Sequence, residues 1–465
     1  MKFVLATPPF DLFRDGYSTK RSIKKGHLQP LGIGYIARVA LEAGIETFIV
    51  DSSVLGLDRD AAACAIAQYR PDAVGISTLT AAKAQAFELA GALKQKMNVT
   101  IIMGGPHATC YSEEILRTCQ SVDFVVEGEA EKVILPLLAH IRKKTKPHGL
   151  KGVIFRNGNS IINNGIAEIE YDLDKIKPPA RHLYKNTLYS PLPHAYKRLP
   201  ATSMITSRGC PYSKCAFCFS SGKMKKRFRR YSPTRVADEI QHVSRNFGVQ
   251  EIIFCDDNFL FNKNWIMEFC DLLMKRKIDI SWSCTGRVDT VDLEMLKSVK
   301  SVGCWTVFYG IESGVQRLLD TIKKGITVEE VKNAIKWTHQ AGIETRGSFM
   351  FALPGETPRD AMENIKLAIS LDLDYALFHA AFPEPKTELF DIAKAYGDFE
   401  KYRGMTKATF VPEGYKDGRE VEKMVRKAYK KFYFRPKYVL KKLRSIKKMS
   451  DLTKYMEGFL FLKGM

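Results

Sequence analysis

Three cysteines on one short segment are the residues of this chain best suited to metal chemistry. Cys210, Cys215 and Cys218 lie in TSRGCPYSKCAFCFSS, directly after an apolar segment that predicts a strand. On a loop at the end of a strand, three thiolates can converge. Three cysteines that hold a four-iron cluster leave one iron open, and a catalytic metal centre requires such an open position.

A structural zinc site and a chance grouping of buried cysteines are the two alternatives for this segment. Structural zinc requires four closed ligands, and the sequence offers no second C-x-x-C and no nearby Cys-His pair. Ten cysteines in a chain of 465 residues favour reduced thiols over a disulfide framework. The sequence therefore favours the iron-sulfur interpretation.

The segment 196–395 predicts the scaffold that positions this loop. Strand and helix patterns alternate about six times, which is typical of an open barrel with a site at its upper rim. A lone Asp-Asp or Gly-Glu would indicate a turn or a helix cap, but repeated placement after successive strands favours a binding site. The residues of these two pairs are Asp256, Asp257, Gly355 and Glu356.

The segment 1–135 also alternates short apolar strands with helical patterns. This alternation predicts a doubly wound parallel sheet, which binds ligands at the carboxyl ends of its strands. Small and turn-forming residues at those ends allow the backbone to approach a ligand closely. The candidate binding residues are Pro8, Ser77, Thr78, Leu79, Gly104, Gly105, His107, Glu127 and Gly128.

The remaining segments predict a connector and a tail. In 136–195, GVIFRNGNSIINNG predicts a hairpin around Asn-Gly and LDKIKPPARHLY a proline-bearing connection, and we interpret this segment as a linker. The segment 396–465 is basic and predicts helices. The predicted fold class is therefore α/β: a doubly wound, Rossmann-like sheet, then a partial (β/α)6 barrel, then a basic helical C-terminal region.

The order of several motifs resembles the radical S-adenosylmethionine (radical SAM) superfamily, and more narrowly its cobalamin-binding branch, which includes the anaerobic magnesium-protoporphyrin ester cyclase and phosphinate methylase types. The resemblance covers nearly the whole chain. The matching phrases are PLGIGYIA, GGPHAT, VVEGEAE, TSRGCPYSKCAFC, FCDDNF, GRVDT, YGIESG, FMFALPGET and FPEPKTELFD. One departure is the spacing of the first two cysteines, which is C-x4-C in place of the usual C-x3-C.

The resemblance implies roles for the strand-end residues of the barrel. In this family the open iron of a 4Fe-4S cluster chelates the amino and carboxylate groups of S-adenosylmethionine, and an electron splits that molecule to a 5′-deoxyadenosyl radical. Asp256 and Asp257 would lie near the ammonium group, and Arg287 would bind the carboxylate. Glu312 would reach the ribose or the methionine end. Gly355 and Glu356 would pass close to the adenine.

The resemblance also implies that the first domain binds cobalamin. Many cobalamin domains carry D-x-H-x-x-G, then S-x-L, then Gly-Gly, and this chain has the last two but not the first. The lower cobalt face is therefore expected to lack the histidine ligand. His107 is the nearest alternative ligand, although a histidine in a glycine turn is more often a capping group. A nucleotide-binding sheet that is empty and purely structural is the alternative.

Charge indicates the class of partner. The chain has 72 Lys and Arg against 51 Asp and Glu, a net charge of +21, and this excess favours anionic partners. KMKKRFRR at 223–230 predicts a solvated loop or a phosphate contact. KKFYFRPKYVLKKLRSIKKM near the C-terminus, followed by GFLFLKGM, fits an interfacial membrane helix and a helix packed on the barrel equally well. With no secretory signal and no membrane-spanning segment in the sequence, we expect a cytoplasmic protein, with peripheral contact at the inner membrane face as one hypothesis.

Three functions from different classes follow. The first is a cobalamin-dependent radical methylase or cyclase that acts on an unactivated carbon of a hydrophobic or lipid-borne small molecule and takes electrons from flavodoxin or ferredoxin. The second is a radical enzyme that modifies RNA, which is disfavoured because the sequence carries no recognisable RNA-binding motif. The third is a non-catalytic cobalamin or metal sensor.

Overall fold

The structure is a computed structural model that describes residues 1–11, 15, 26–192, 195–220, 227–384, 386–399, 407–444 and 446. The described residues form two compact units, the first within Met1–Asp15 and Ile23–Ser190 and the second within Pro191–Met465. Residues 223–226 of the basic run and the apolar segment 458–465 lie outside the described residues.

The first unit contains one seven-stranded sheet in the order β2-β1-β3-β4-β5-β6-β7. Its strands are β1 Lys2–Thr7, β2 Glu46–Asp51, β3 Ala73–Ser77, β4 Thr100–Gly104, β5 Phe124–Val126, β6 Val153–Asn157 and β7 Ser160–Asn163. Its helices are α1 Leu31–Glu42, α2 Arg59–Ala67, α3 Lys83–Lys96, α4 Pro106–Thr118 and α5 Ile134–Lys143. The first five strands are parallel, and the order 2-1-3-4-5 is a common doubly wound topology that binds ligands at the carboxyl ends of the strands.

Strand β1 shows why the sheet is covered on both faces. Val4 belongs to one hydrophobic cluster with residues of α2, α3 and α4, and Phe3 belongs to another with residues of α1 and α5. Successive side chains of a strand point to opposite faces, so a strand buried on both faces is a continuous apolar run. The predicted doubly wound sheet is confirmed.

The hairpin β6–β7 corrects the interpretation of 136–195 as a linker. The predicted turn around Asn157-Gly158 is present, with Gly158 at φ +60. Strand β6 pairs antiparallel with β5, so that Val126 lies opposite Val153. The hairpin therefore extends the first sheet, because its backbone groups complete the hydrogen bonding of β5.

The second unit is built on a six-stranded parallel sheet whose strands follow each other in chain order. The strands are β8 Ala201–Met204, β11 Glu251–Phe254, β12 Ser281–Gly286, β13 Cys304–Glu312, β14 Glu344–Phe351 and β15 Tyr375–Ala380, and Ser207–Arg208 (β9) pairs antiparallel with Arg229–Arg230 (β10). The helices are α6 Pro233–Phe247, α7 Lys263–Lys275, α8 Leu293–Ser301, α9 Gln316–Thr321, α10 Val328–Gln340, α11 Pro358–Ser370 and α12 Glu388–Ala393. The predicted partial barrel is confirmed.

Side-chain caps define where the barrel helices begin. Ser232 accepts from the Arg235 amide at the start of α6, and Asp292 accepts from the Met295 amide at the start of α8. Thr327 begins α10 with a reciprocal capping box. A side-chain oxygen at the N-cap satisfies a backbone donor that has no partner within the helix. These caps end the preceding loops at defined points and so fix the lengths of the strand-end loops.

The C-terminal part of the second unit is not entirely helical as predicted. A two-stranded hairpin, β16 Gly397–Phe399 with β17 Phe410–Pro412, precedes α13 Gly418–Tyr433 and α14 Pro436–Arg444. Helix α13 packs on the outer strand β15: the Tyr429 hydroxyl accepts from the Phe378 amide at 3.2 Å, and the Tyr433 hydroxyl donates to the Ala376 carbonyl at 2.8 Å. The sequence fitted an interfacial membrane helix and a helix packed on the barrel equally well, and α13 packs on the barrel.

No helix in the described part of the chain combines the length and the apolar composition needed to cross a membrane.

Candidate functional site

The three cysteines lie close enough for their charges to interact, on the loop that follows β8 and β9. Burial raises the pKa of Cys215 to about 11, and the charges of Cys218 and Cys210 raise it further, whereas Lys324 and Arg287 oppose the effect. Burial also raises the pKa of Cys218, and Cys210 contributes to that rise. Lys324 and Arg287 therefore favour the thiolate form of Cys215.

The metal that such a group suits depends on how its sulfurs are spaced. Within the described ranges, no group of three or more His, Cys, Asp or Glu side chains is arranged to hold a metal ion. A single ion requires all its ligands within bonding distance of one point. A four-iron cluster makes a different demand, because each cysteine binds a different iron of the cluster.

The backbone carbonyls of Ile322 and Lys323 hold the cysteine loop in place. The Ala216 amide donates to the Ile322 carbonyl at 2.9 Å, and the Tyr212 hydroxyl donates to the Lys323 carbonyl at 2.9 Å. Gly325 follows with φ +64, and a Cβ there would overlap the Tyr212 hydroxyl. The loop therefore rests directly on the turn between α9 and α10.

Arg287 joins this assembly from the end of β12. Its guanidinium makes two hydrogen bonds of 3.0 Å to Asp289, donates to the Lys324 carbonyl at 3.0 Å, and lies 3.9 Å from the centroid of the Tyr212 ring. Burial alone would lower the pKa of Arg287, but the ion pair with Asp289 outweighs burial and the pKa is raised. A fixed positive charge is thus retained next to the cysteine loop.

Asp256 and Asp257 follow β11 but occupy different environments. Asp256 is buried, and its carboxylate accepts hydrogen bonds from the amide and hydroxyl of Thr206, both at 2.9 Å, and from the Ser207 hydroxyl. Asp257 is exposed and accepts from the Ser220 hydroxyl at 3.2 Å. Asp256 therefore orders the segment before Cys210, and Asp257 presents a carboxylate to solvent beside the loop. Contact of either residue with the S-adenosylmethionine ammonium stays a prediction.

Glu312 lies at the end of β13 in a left-handed conformation, with φ +65. The pairing of β13 with β14 shifts register at this point, which re-aims the side chain. Its carboxylate pairs with Lys324 at 2.9 Å and accepts from the Ser348 hydroxyl at 3.4 Å. A Cβ on Gly310 would collide with the Glu312 carboxylate. The pair of Glu312 and Lys324 is almost completely buried.

Lys324 is a functional candidate that sequence reasoning missed. It lies in the turn after α9, twelve positions beyond Glu312, and follows no strand. Its only signal in the sequence is a Lys-Lys-Gly triplet, which ordinarily indicates a solvated turn. Burial of Lys324 beside Cys215 and Glu312 is visible only in the folded chain.

Gly355 and Glu356 form the turn after β14. Gly355 has φ +75, and its carbonyl accepts from the Arg317 guanidinium at 2.8 Å. Glu356 is fully buried, and its Oε1 accepts from the Ala352 amide at 2.8 Å and from the Tyr415 hydroxyl at 2.7 Å. Burial raises the pKa of Glu356 to about 7. The buried carboxyl therefore stabilises the turn through these hydrogen bonds. Its contact with adenine stays a prediction.

Buried polar atoms without a protein partner mark the strand ends of the barrel. Among the described residues they include both amide atoms of Asn258, Oε2 of Glu356 and Nδ1 of His379. His379 lies at the end of β15, where burial lowers its pKa against the charge of Glu312. Buried polar groups without partners are rare and usually indicate water or a ligand. These atoms therefore fit water or a polar ligand in the second unit.

In the first unit the ends of β3 and β4 are joined at Thr78. Its amide donates to the Gly104 carbonyl at 2.8 Å, and its carbonyl accepts from the His107 amide at 3.0 Å. Gly105 has φ +98, and a Cβ there would lie 3.0 Å from the Thr78 amide nitrogen and carbonyl oxygen. Leu79 leaves 54% of its surface exposed. The backbone of these strand ends thus forms a tight turn with an apolar side chain on its outer side.

This turn leaves space for a ligand. A Cβ on Gly104 or on Gly128 would meet no atom within 4 Å, and the buried hydroxyl of Thr78 has no protein partner. A cradle of this kind suits the approach of a bulky cofactor to the backbone, so the residues fit the predicted cobalamin.

The other predicted residues of the first unit lie around this turn. His107 is buried, with its ring 4.8 Å from that of Tyr111 and its Nδ1 3.3 Å from the Thr80 hydroxyl. This position agrees with a structural role for His107. Glu127 accepts from the Ser112 hydroxyl at 2.9 Å, and Pro8 is buried with its carbonyl bound by Ser53 at 3.1 Å. Their binding roles stay predictions.

Comparisons with known proteins agree with this architecture. The family model "Radical SAM superfamily" matches residues 204–368, and the model "B12 binding domain" matches residues 24–138. The chain is 32% identical to an uncharacterized methyltransferase, PH0819, of Pyrococcus horikoshii over 95% of this chain and 94% of that protein. It is 28% identical to the anaerobic magnesium-protoporphyrin IX monomethyl ester cyclase of Cereibacter sphaeroides over 82% of this chain and 63% of the cyclase.

Among solved structures, the chain is similar to the cobalamin-dependent S-adenosylmethionine radical enzyme OxsB with aqua-cobalamin and S-adenosylmethionine bound. The TM-score is 0.75 at 16% identity, over 99% of this chain and 71% of that chain. At this identity the similarity concerns the fold.

We expect Glu356→Gln to remove a pH dependence of stability. The folded protein holds the Glu356 proton up to about pH 7, whereas the unfolded chain releases it near pH 4.5. The free energy of unfolding therefore falls as the pH rises between these values, by about 3 kcal/mol through this group. Chemical denaturation across this range should show the variant gaining stability relative to the parent as the pH rises.

Glu413→Gln, which changes an exposed carboxyl in the neighbouring segment, is the matched control. The pH dependence of the Glu356→Gln difference is measured against that of this control. A pH-independent difference for Glu356→Gln would contradict a protonated Glu356 in the folded protein near neutral pH.

Proposed function

We propose that this chain, which belongs to the cobalamin-binding branch of the radical S-adenosylmethionine superfamily, is a methyltransferase or cyclase. It would act on an unactivated carbon of a hydrophobic small molecule. One observation carries the proposal: Cys210, Cys215 and Cys218 lie on one loop, which Tyr212 and Ala216 anchor to the turn that carries the buried Lys324. When bound, a 4Fe-4S cluster with S-adenosylmethionine supplies hydrogen abstraction from carbon, and cobalamin supplies a methyl carrier.

The chain's own contribution near the cluster is charge and position. Asp257, exposed beside the cysteine loop, would accept hydrogen bonds from the ammonium of S-adenosylmethionine. Arg287 and Lys324 would provide positive charge for the carboxylate, each already held by an acidic partner. Charge-assisted hydrogen bonds in a buried site are stronger than neutral ones. Since both cations are fixed before the ligand arrives, binding requires little reorganisation.

The strand ends of the first unit would hold cobalamin. Leu79 would offer apolar surface to it, and the open sides of Gly104 and Gly128 would accommodate its bulk. The unpartnered hydroxyl of Thr78 would donate to it. Because His107 is buried against Tyr111, we propose that this histidine would stabilise the turn and would not bind the metal of the cofactor.

The proposed hydrophobic or lipid-borne substrate is supported by helix α14. Val439, Leu440 and Leu443 project from one side of this helix with 40%, 53% and 57% of their surfaces exposed. Exposed lysines at 437 and 441 and Arg444 flank them. Apolar side chains beside cations are typical of a helix that lies on an anionic membrane surface. We therefore propose peripheral membrane contact through α14.

The function is tested by anaerobic reconstitution with iron and sulfide, followed by reduction with dithionite or flavodoxin in the presence of S-adenosylmethionine. We expect 5′-deoxyadenosine to appear, and S-adenosylhomocysteine as well when a methyl acceptor is present. Cys215→Ala should reduce both products to background because it removes a cluster ligand. The control Cys64→Ala changes an exposed cysteine of the first unit and should retain the parent rate. A parent protein that carries its cluster and leaves S-adenosylmethionine intact would refute the proposal.

Gly104→Leu should block the cobalamin cradle without unfolding the first unit. The new side chain enters space in which no protein atom lies within 4 Å of the Cβ, so the melting temperature should change little. Cobalamin retained by the purified protein, measured by its visible absorbance, should fall by at least about tenfold because the leucine occupies the volume of the cofactor. Gly32→Leu, on helix α1 with equally open surroundings, is the matched control. Parental cobalamin content in Gly104→Leu would argue against this position of the cofactor.

Membrane contact is tested with vesicles of phosphatidylglycerol and of phosphatidylcholine. The parent should sediment with the anionic vesicles only, and the double variant Leu440→Glu, Leu443→Glu should bind at least about tenfold more weakly, since burial of each leucine contributes about 2 kcal/mol. Met274→Glu replaces a similarly exposed apolar side chain on α7 and should bind as the parent does. Equal binding of the parent and the double variant would exclude α14 as the contact.

A further inference from the structure

Ser213 has an unusual backbone conformation for its residue type. It lies between Cys210 and Cys215 and adopts φ +44, in the left-handed region that side chains with a Cβ rarely adopt. Strained conformations of this kind persist only where surrounding contacts determine them. Glycine would adopt this conformation at a lower energetic cost. The contacts of the serine side chain should therefore explain why a serine occupies this position.

The Ser213 hydroxyl bridges two distant points of the cysteine loop. Its Oγ lies 2.8 Å from the carbonyl oxygen of Cys210 and 3.1 Å from that of Ser220. A hydroxyl has one proton, which the two carbonyls therefore share, with the stronger bond to Cys210. The first carbonyl belongs to the first cysteine, and the second lies two residues beyond Cys218. The hydroxyl thus ties together the two ends of the segment that carries all three thiols.

The other side of the loop is held independently. Tyr212 and Ala216, which flank Ser213 and Cys215, donate to the carbonyls of Lys323 and Ile322. These contacts fix the outer part of the loop to the rest of the unit but do not join its ends to each other. The Ser213 hydroxyl, in contrast, links the carbonyls of Cys210 and Ser220 within the described loop.

We propose that Ser213 is a positioning residue for the cluster, and this inference rests on the proposed function. Four residues separate Cys210 from Cys215, one more than the spacing typical of the family. The left-handed turn at Ser213 takes up the additional residue. The hydroxyl then closes the loop, so that Cys210 and Cys218 are held at a fixed separation on either side of Cys215. Ser213 contacts the loop backbone and acts on the cluster only through it.

Two variants separate the hydroxyl from the backbone conformation. Ser213→Ala removes the bridge and keeps the Cβ, whereas Ser213→Gly removes the bridge and relieves the left-handed strain. We expect both variants to lose iron to a chelator about tenfold faster than the parent, because each lacks the shared hydrogen bond. Electron paramagnetic resonance of the reduced cluster, with and without S-adenosylmethionine, should show a broader and more heterogeneous signal in both. Lys214→Ala, an exposed side chain of the same loop, should match the parent.

The outcomes are distinguishable. The inference would be overturned if both serine variants retained iron and gave spectra as the parent does. It would also be overturned if Ser213→Gly behaved as the parent and only Ser213→Ala lost iron faster, because the role would then belong to the backbone conformation alone. Equal melting temperatures of the cluster-free proteins would show that the variants fold. If the parent itself assembles no cluster after reconstitution, the proposed function fails, whereas an intact parent with unaffected variants refutes only the role of Ser213.

Discussion

Burial of thiols on one loop is the constraint around which the site of the second unit is organised. Burial is the largest cause of the raised pKa of Cys215, and the charges of Cys218 and Cys210 add to it, so this position alone would favour a protonated thiol. Lys324 and Arg287 oppose this, and both are nearly buried, where a charge interacts more strongly than in water. Each cation is in turn paired with a carboxylate, because an unpaired buried charge is costly. The cysteine loop is therefore next to cations, and each of these cations is next to a carboxylate.

The open barrel delivers these charges from separate strands. Arg287 comes from the end of β12, Glu312 from the end of β13, and Lys324 from the turn after α9. The Arg287 guanidinium also holds the carbonyl of Lys324, so the positions of the two cations depend on each other. Parallel strands bring their carboxyl ends to one rim, and this rim is where charged groups distant in sequence meet. Cap residues such as Thr327 limit the lengths of the connecting turns and preserve this convergence.

Much of this organisation could be predicted from the sequence, and the exceptions have physical reasons. Alternating strand and helix patterns predicted both sheets, and the cysteine segment was found from its spacing after a strand. The roles predicted for the strand-end residues of the barrel came from the resemblance to the family. Lys324 was missed because a lysine in a turn has no periodicity that distinguishes burial from exposure. The hairpin β6–β7 was interpreted as part of a linker because the short-range signal predicts a hairpin but not the strand with which it pairs. Asp256 and Asp257 look equivalent in sequence, and only the fold shows that one is buried and the other exposed.

The tyrosines of α13 have a consequence for the whole second unit. Strand β15 is the last of an open sheet, and the outward amides and carbonyls of an edge strand can pair with a strand from another molecule when nothing covers them. Tyr429 and Tyr433 occupy groups on Phe378 and Ala376 that such a strand would use. A shortened chain without α13 would therefore gain a self-association hazard as well as lose packing. Helix α13 therefore protects the second unit from association through the edge of β15.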